Sequence, residues 1–472
     1  MDALIDLKHL HYQTVSEETL LTDIAFKLYP GECVLLCGKS GSGKTTLLNI
    51  LTGLIPELFE GKLRGEGQLF DQPFPLTDFQ SHAAKIGRVF QNPKSQFFTS
   101  EVLSELAFKM ENFGFSREEM QEKIKASASF FQIDELLAHS LYQLSGGQKQ
   151  KVALASSLLP ECKILFLDEV TSNLDQQAIE QLKQTLQQLK QAGVAVVLIE
   201  HRLDYCLELL DRIYVLEKGK LKQELSASEL KALSGTQLLS FGLRHLKEPT
   251  ALGTMPAIAQ AASVHLQIEK LQFAYHKQKQ PQLSIESLAL NNQQIIGLIG
   301  ENGAGKSTFI QLLTGLLKPK SGHILLNNQA MKPKDLLAQS FLVRQEVSLQ
   351  LFFETVEKEL TFQAKRLDYF EDIVQALSLQ ALLSRHPQSL SGGEKQRVAI
   401  ASAILSGKTC LFFDEPTSGL DAIQMQQVSQ QLRYLQQKYP VLIVIISHDQ
   451  PFLAQVCDEI IELSAGQIKI AE

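Results

Sequence analysis

A length of 472 residues suggests about three domains, but an internal repeat divides the chain into two similar halves. The 45 basic against 52 acidic side chains leave a net charge of -7, which excludes the strongly basic footprint of a general nucleic-acid binder. Six scattered cysteines, two of them (Cys33 and Cys37) inside one apolar run, read as small buried hydrophobes of a reducing compartment rather than as disulfide partners or metal ligands.

Met1-Asp2-Ala3-Leu4-Ile5-Asp6 has no basic region ahead of an apolar core, so no secretory signal is expected and the chain is expected in the cytosol. The run Cys33–Cys37 is short, continuous and apolar, the pattern of a parallel strand buried on both faces. Directly after it, Gly38-Lys39-Ser40-Gly41-Ser42-Gly43-Lys44-Thr45 fits G-x-x-x-x-G-K-[ST], and Thr46 and Leu47-Leu48-Asn49-Ile50-Leu51 continue as a helix. Such glycines let backbone N–H groups close around phosphates. Lys44 then meets the β and γ phosphates, and Thr45 places a hydroxyl on Mg2+.

Ser145-Gly146-Gly147-Gln148, preceded by Leu144, opens a helical pattern over 150–158. Ser145 is thus an N-cap with bare N–H groups behind it, an end that attracts an anion. The run 164–167 is a second buried strand ending in Asp168-Glu169. A charge there is costly unless it meets a cation, so Asp168 is expected to contact Mg2+ and Glu169 to polarise an attacking water. Ile179, Leu182, Leu186 and Leu189 step as one face of a Gln-rich amphipathic helix, and the strand 194–199 leads to His201. Alone, Ser-Gly-Gly is an ordinary turn and an Asp-Glu pair an ordinary helix start; their meaning rests on co-occurrence.

The stretch 236–262, with Pro249, Gly253 and Pro256, matches neither half and is expected to link a first domain, 1–235, to a second, 263–472. The second half repeats the set. Strand Ile295–Ile299 leads to Gly300-Glu301-Asn302-Gly303-Ala304-Gly305-Lys306-Ser307 and Thr308, followed by Ser391-Gly392-Gly393-Glu394, Asp414-Glu415 and His448. Ser145 to Asp168 and Ser391 to Asp414 both span 23 residues, whereas Lys44 to Gln91 spans 47 against 39 for Lys306 to Gln345. The variable part therefore reads as surface loops and a peripheral helical region. No apolar run approaches the roughly 20 residues that cross a bilayer, so any membrane part would come from other chains.

The order of Gly-rich loop, Gln, Leu-Ser-Gly-Gly, Asp-Glu and His resembles that of ATP-binding cassette (ABC) ATPases over nearly the whole chain outside the linker. The resemblance implies an α/β fold of two tandem ABC-type domains, each a P-loop parallel-sheet core with a helical subdomain, that hydrolyses ATP with Mg2+ as cofactor. It implies that the Ser-Gly-Gly of one half caps the ATP held by the Gly-rich loop of the other, in a head-to-tail sandwich within one chain. Gln91 and Gln345 would touch Mg2+ along with Thr45, Asp168, Ser307 and Asp414. His201 and His448 would hold the γ phosphate, Glu169 and Glu415 would serve the water, and Asp175 and Asp421 would end loops crossing between halves.

Val89-Phe90-Gln91-Asn92-Pro93-Lys94-Ser95-Gln96-Phe97-Phe98, with Val102, Glu105, Phe108 and Glu111-Asn112, looks like the ATPase components of energy-coupling factor (ECF) importers. That resemblance implies an integral membrane coupling subunit and a substrate-binding membrane subunit as partners. It also implies a peripheral place on the cytoplasmic face, uptake of a vitamin or transition-metal ion, and no nucleic acid. Phe97, Phe98 and Phe108 are the expected docking aromatics. The second half keeps Gln345, Gln350, Phe352, Val356 and Glu359 but has Glu346-Val347 for Asn-Pro.

Tyr275 matches the family aromatic that stacks on adenine, whereas Thr14 stands opposite it in the first half, with Tyr12 as a substitute. Val170 and Asn173 replace Pro416 and Gly419 without removing a catalytic group, so both sites are expected to be competent. The alternatives are a duplicated sugar-import ATPase and a soluble ABC ATPase acting on ribosomes or nucleic acid, the latter disfavoured by the negative charge.

Overall fold

The computed structural model describes residues 2–75, 80–90, 95–171, 174–244, 263–275 and 282–470. The chain divides into two compact units, Met1–Leu246 and Lys247–Glu472. Among the described residues no helix is long and apolar enough to cross a membrane.

In the first unit a six-stranded sheet runs in the order Lys220–Ser226, Arg212–Glu217, Cys33–Cys37, Ala195–Ile199, Ile164–Asp168, Ile86–Val89. Only the edge hairpin Arg212–Glu217 with Lys220–Ser226 is antiparallel. The central strands of such a sheet are covered on both faces, which is why Cys33–Cys37 and Ala195–Ile199 are apolar and buried at every position. Cys33, Leu35 and Cys37 point into one core with the helical region. Val34 and Leu36 point into another, shared with a four-stranded antiparallel sheet of Thr19–Leu28, Ile5–Thr14, Gly61–Leu69 and Gln72–Pro73. Helix Lys44–Leu51 packs in that second core through Leu47, Leu48, Ile50 and Leu51.

The second unit repeats the plan. Its six-stranded order is Ser340–Val343, Cys410–Asp414, Leu442–Ile446, Ile295–Ile299, Glu459–Ser464, Gln467–Ile470. Leu411 and Phe413 face one core while Cys410 and Phe412 face the other. The Gln-rich segments are helices Gln176–Gln191 and Ala422–Lys438. Ile179, Leu182, Leu186 and Leu189 are buried in the first, and Met425, Val428, Leu432 and Leu435 in the second. Part of the length divergence lies in the antiparallel sheet, where Gly61–Leu69, of 9 residues, stands where the second unit has Ser321–Leu326, of 6, and part in the helical regions, where Arg117–Phe131, of 15 residues, stands where the second unit has Phe370–Ala376, of 7.

Residues 236–244 of the expected 236–262 linker are folded onto the first unit. Ser234 and Gln237 form a capping box at the start of helix Gly235–Ser240, and Leu238, Phe241 and Leu243 enter the first unit's core. Residues 245–262 lie outside the described residues. All six cysteines are free thiols, five of them buried.

Phe412 is 1% exposed between the two sheets, whereas Leu316 is 56% exposed. Phe412→Ala is expected to cost about 3–5 kcal/mol and Leu316→Ala less than about 1 kcal/mol, read from urea unfolding followed in the second unit. Similar losses from both would contradict this core.

Candidate nucleotide sites

Each Gly-rich loop leaves the carboxyl end of a central strand, the edge where ligands bind in parallel sheets. Gly38 and Gly300 have φ of 147° and 148°. A Cβ there would stand 2.2 Å from the Leu216 carbonyl oxygen or 2.3 Å from that of Leu463, so glycine is required. Lys44 Nζ donates to the carbonyls of Gly38 (2.7 Å) and Lys39 (3.1 Å), and Lys306 Nζ to those of Gly300 (2.7 Å) and Glu301 (3.0 Å). Both ammonium groups thus curl back into a ring of backbone, their stems buried, while Thr45 and Ser307 are exposed. Ser42 Oγ is buried in the loop without a hydrogen-bond partner, a polar atom suited to a phosphate oxygen.

Asp168 and Asp414 close their strands, with Asp168 Oδ2 3.3 Å from Arg88 Nη2. Burial raises the Asp168 carboxyl, with Glu169 adding to the rise and Arg88 opposing it. Burial likewise raises Asp414, opposed by Lys306 and Arg344. A buried carboxyl beside an exposed hydroxyl is an all-oxygen donor set, which fits a hard cation such as Mg2+. Among the described residues no cluster of three or more His, Cys, Asp or Glu could hold a metal, so the other ligands would be nucleotide oxygens and water.

Glu169 and Glu415 follow at φ of 50° and 48°, a left-handed backbone that costs a non-glycine residue about 1–2 kcal/mol. The turn is held by Glu169 N–H to the Ile199 carbonyl (2.8 Å) and Glu415 N–H to that of Ile446 (2.9 Å). The two carboxyls are then held differently. Glu415 Oε2 accepts from Ser447 Oγ (2.9 Å) and Oε1 from His448 N–H (3.0 Å). Burial pushes this acid up to about 8, partly offset by the Ser447 hydrogen bond. Glu169 Oε1 instead lies 3.3 Å from His201 Nε2.

The histidines differ as well. His201 Nδ1 donates to the Gly242 carbonyl at 2.9 Å, which places its hydrogen on Nδ1. His448 Nε2 lies 3.2 Å from Asn302 Oδ1 on the Gly-rich loop. Gly242, in the stretch read from sequence as linker, is therefore part of the first site's surroundings. The capping box Ser234-x-x-Gln237 was the signal for it.

Ser145 and Ser391 are N-caps of helices Gly146–Leu158 and Gly392–Leu405, each closing a capping box with Gln148 or Glu394. A Cβ on Gly146 or Gly392 would meet nothing within 4 Å, so these turns face open space. Asp175 and Asp421 cap the Gln-rich helices through Ala178 N–H and Gln424 N–H, both at 2.9 Å. Gln345 is exposed, while Gln91, Asn92, Pro93, Lys94 and Asn173 lie outside the described residues. Tyr275 is 41% exposed with its hydroxyl 3.1 Å from Thr308 Oγ1. Tyr12 does not substitute for it, being 4% exposed in the core with its hydroxyl on the Glu60 carbonyl.

Beside each site a turn is clamped by residues whose role the spacing did not reveal. Gln96 Oε1 accepts from Phe90 N–H (3.2 Å), and Gln350 Oε1 from Arg344 N–H (2.7 Å). Glu105 Oε2 accepts from the N–H groups of Phe98 (3.1 Å) and Thr99 (3.0 Å), and Glu359 Oε2 from those of Phe352 (2.7 Å) and Phe353 (3.0 Å). These clamps leave Phe98 76% and Phe352 78% exposed. Phe98 stacks on Phe108 at 4.9 Å, and Phe97 packs inward on the helical-region core rather than outward.

The ABC transporter family model matches residues 21–172 and 283–418. A Treponema denticola protein described as "Putative ABC transporter ATP-binding protein" is 34% identical over 98% of this chain and 96% of its own length. A Bacillus subtilis protein described as "Putative HMP/thiamine import ATP-binding protein YkoD" is 32% identical over 98% of this chain and 90% of its own. The archaeal ribosome recycling factor aABCE1, solved with a ribosomal stalk protein, superposes with a TM-score of 0.63 at 23% identity. That match covers 98% of this chain and 89% of the other, and is a likeness of fold alone.

Between the ordinary value of 4.5 and about 8, Glu415 is protonated in the folded nucleotide-free chain and ionised in the unfolded one. Stability fully present below 4.5 is therefore lost as pH rises to about 8. Glu415→Gln removes that loss. Amide exchange in strand Cys410–Asp414 should show the variant gaining on the parent between pH 5 and pH 8, by about 1 kcal/mol or more. An unchanged difference across that range would contradict a buried, proton-holding Glu415.

Proposed function

The chain belongs to the ABC transporter family as an ATP-binding, ATP-hydrolysing member, and we propose that within it the chain is the fused ATPase pair of an ECF-type importer. The observation that carries this reading is the clamped turn present in both units, which holds Phe98 and Phe352 three-quarters exposed. Aromatics held outward by carboxylate clamps are costly to solubility unless a partner covers them. Helices of an integral membrane coupling subunit are the proposed cover, with a separate membrane subunit binding the solute and the ATPase peripheral on the cytoplasmic face. The relative described by HMP/thiamine import supports a vitamin or vitamin precursor as the solute class.

In this reading ATP is held by Gly38 to Thr46 and Gly300 to Thr308, with Tyr275 against the second adenine. Each nucleotide is closed by the Ser-Gly-Gly of the other half, Ser391-Gly392-Gly393-Glu394 or Ser145-Gly146-Gly147-Gln148. Thr45, Gln91 and Asp168, and Ser307, Gln345 and Asp414, would hold Mg2+, which screens charge on the phosphates. Glu169 and Glu415 orient the attacking water, and His201 and His448 hold the γ phosphate. Closing of the halves on ATP and reopening after hydrolysis would drive the membrane subunits.

Two measurements test this. Glu169→Gln with Glu415→Gln should lower steady-state ATP hydrolysis by about 100-fold or more while ATP binding persists, and an unchanged rate would refute the assigned roles. Phe98→Ser with Phe352→Ser should release the chain from membranes and spare ATP binding. Retention on membranes, or sedimentation of the parent chain with ribosomes instead, would overturn the importer reading.

A further inference from the structure

The residue before each site histidine differs between the units, and the difference reaches the glutamate that precedes the phosphate-facing loop. In the second unit Ser447, fully buried, donates to Glu415 Oε2 and accepts from Asp449 N–H at 3.1 Å, so the histidine loop is tied to the glutamate itself. The first unit has Glu200 in that place, 3% exposed. An acid cannot repeat the serine contact without setting two carboxyls against each other. Its Oε1 turns instead to Thr171, accepting from Oγ1 (2.9 Å) and N–H (3.3 Å), and to the Tyr205 hydroxyl (3.1 Å). Thr171 and Tyr205 are each 5% exposed, so these donors have no access to water. The Thr171 carbonyl in turn accepts from Leu174 N–H at 3.2 Å, next to Asp175, which caps helix Gln176–Gln191.

We propose that Glu200 is a positioning residue of the first site, a buried clasp that joins the loop after Glu169 to the loop carrying His201 and so leaves Glu169 facing His201. The two glutamates are then positioned differently, Glu415 by the Ser447 hydroxyl and the His448 amide, Glu169 with its Oε1 3.3 Å from His201 Nε2. The inference rests on the roles proposed for Glu169 and His201.

The test is steady-state ATP hydrolysis by the full chain carrying Glu200→Ala, Glu200→Gln or Tyr205→Phe, with Glu169→Gln as control. Glu200→Ala leaves three buried donors unpaired and should lower kcat by about threefold or more with KM for MgATP within about twofold. Glu200→Gln retains an acceptor oxygen in the same place and should restore most of the rate, and Tyr205→Phe should fall between. A Glu200→Ala chain with the parent kcat would overturn the clasp, as would Glu200→Gln as impaired as Glu200→Ala, or a loss carried by KM. If Glu200→Ala does not fold, the Glu200→Gln and Tyr205→Phe comparison decides alone, and equal loss in both overturns it. Should Glu169→Gln itself leave the rate unchanged, the roles assigned above fail; a slowed Glu169→Gln beside an unaffected Glu200→Ala sinks the clasp alone.

Discussion

Two adjacent carboxyls at the end of a buried parallel strand are the constraint on which each unit is organised. Asp168-Glu169 and Asp414-Glu415 sit where the sheet gives way to the site, and burial raises both aspartates. A protein has few ways to keep acids there: a cation, a hydrogen-bond donor, or a retained proton. Between them the two units use all three. Arg88 meets Asp168, Ser447 and the His448 amide meet Glu415, and Glu415 keeps its proton up to about 8. The metal ion that accompanies ATP would bring a cation to this edge, so the electrostatic cost of the buried carboxyls favours its binding. The left-handed backbone at Glu169 and Glu415 is the steric counterpart of that cost, and it is the same in both units.

The parts legible in the sequence were those set by local rules. Gly38 and Gly300 announce left-handed turns against a neighbouring carbonyl. The continuous apolar runs announce strands covered on both faces, and the stepping of Ile179, Leu182, Leu186 and Leu189 announces one buried helix face. Ser145 and Ser391 read correctly as N-caps because the capping bond spans only three residues. Contacts between distant segments stayed hidden. Glu105 and Glu359 stood out only as members of the importer-like segment, and nothing local showed that each clamps a turn six or seven residues upstream. Phe97 and Phe98 could not be told apart as inward and outward, since neighbouring residues of a turn diverge by geometry that composition does not encode. Gly242 was read as linker because proline and glycine downstream dominated the stretch, although Leu238, Phe241 and Leu243 are core residues.

Duplication has kept the phosphate cradle nearly unchanged while the residues behind it have diverged. Glu200 against Ser447, Arg88 against Leu342, and Thr14 against Tyr275 all change what lies around the nucleotide rather than what touches its phosphates. The histidines accordingly meet different partners, His201 the Gly242 carbonyl through Nδ1 and His448 the Asn302 side chain through Nε2.

The most direct measurement is the number of nucleotides held when hydrolysis is blocked. Equilibrium dialysis of MgATP against the chain carrying Glu169→Gln and Glu415→Gln should give two ATP molecules per chain, both lost when Lys44 and Lys306 are replaced by Ala. A plateau at one ATP per chain, or binding that survives loss of both lysines, would contradict two sites built on the duplicated Gly-rich loops.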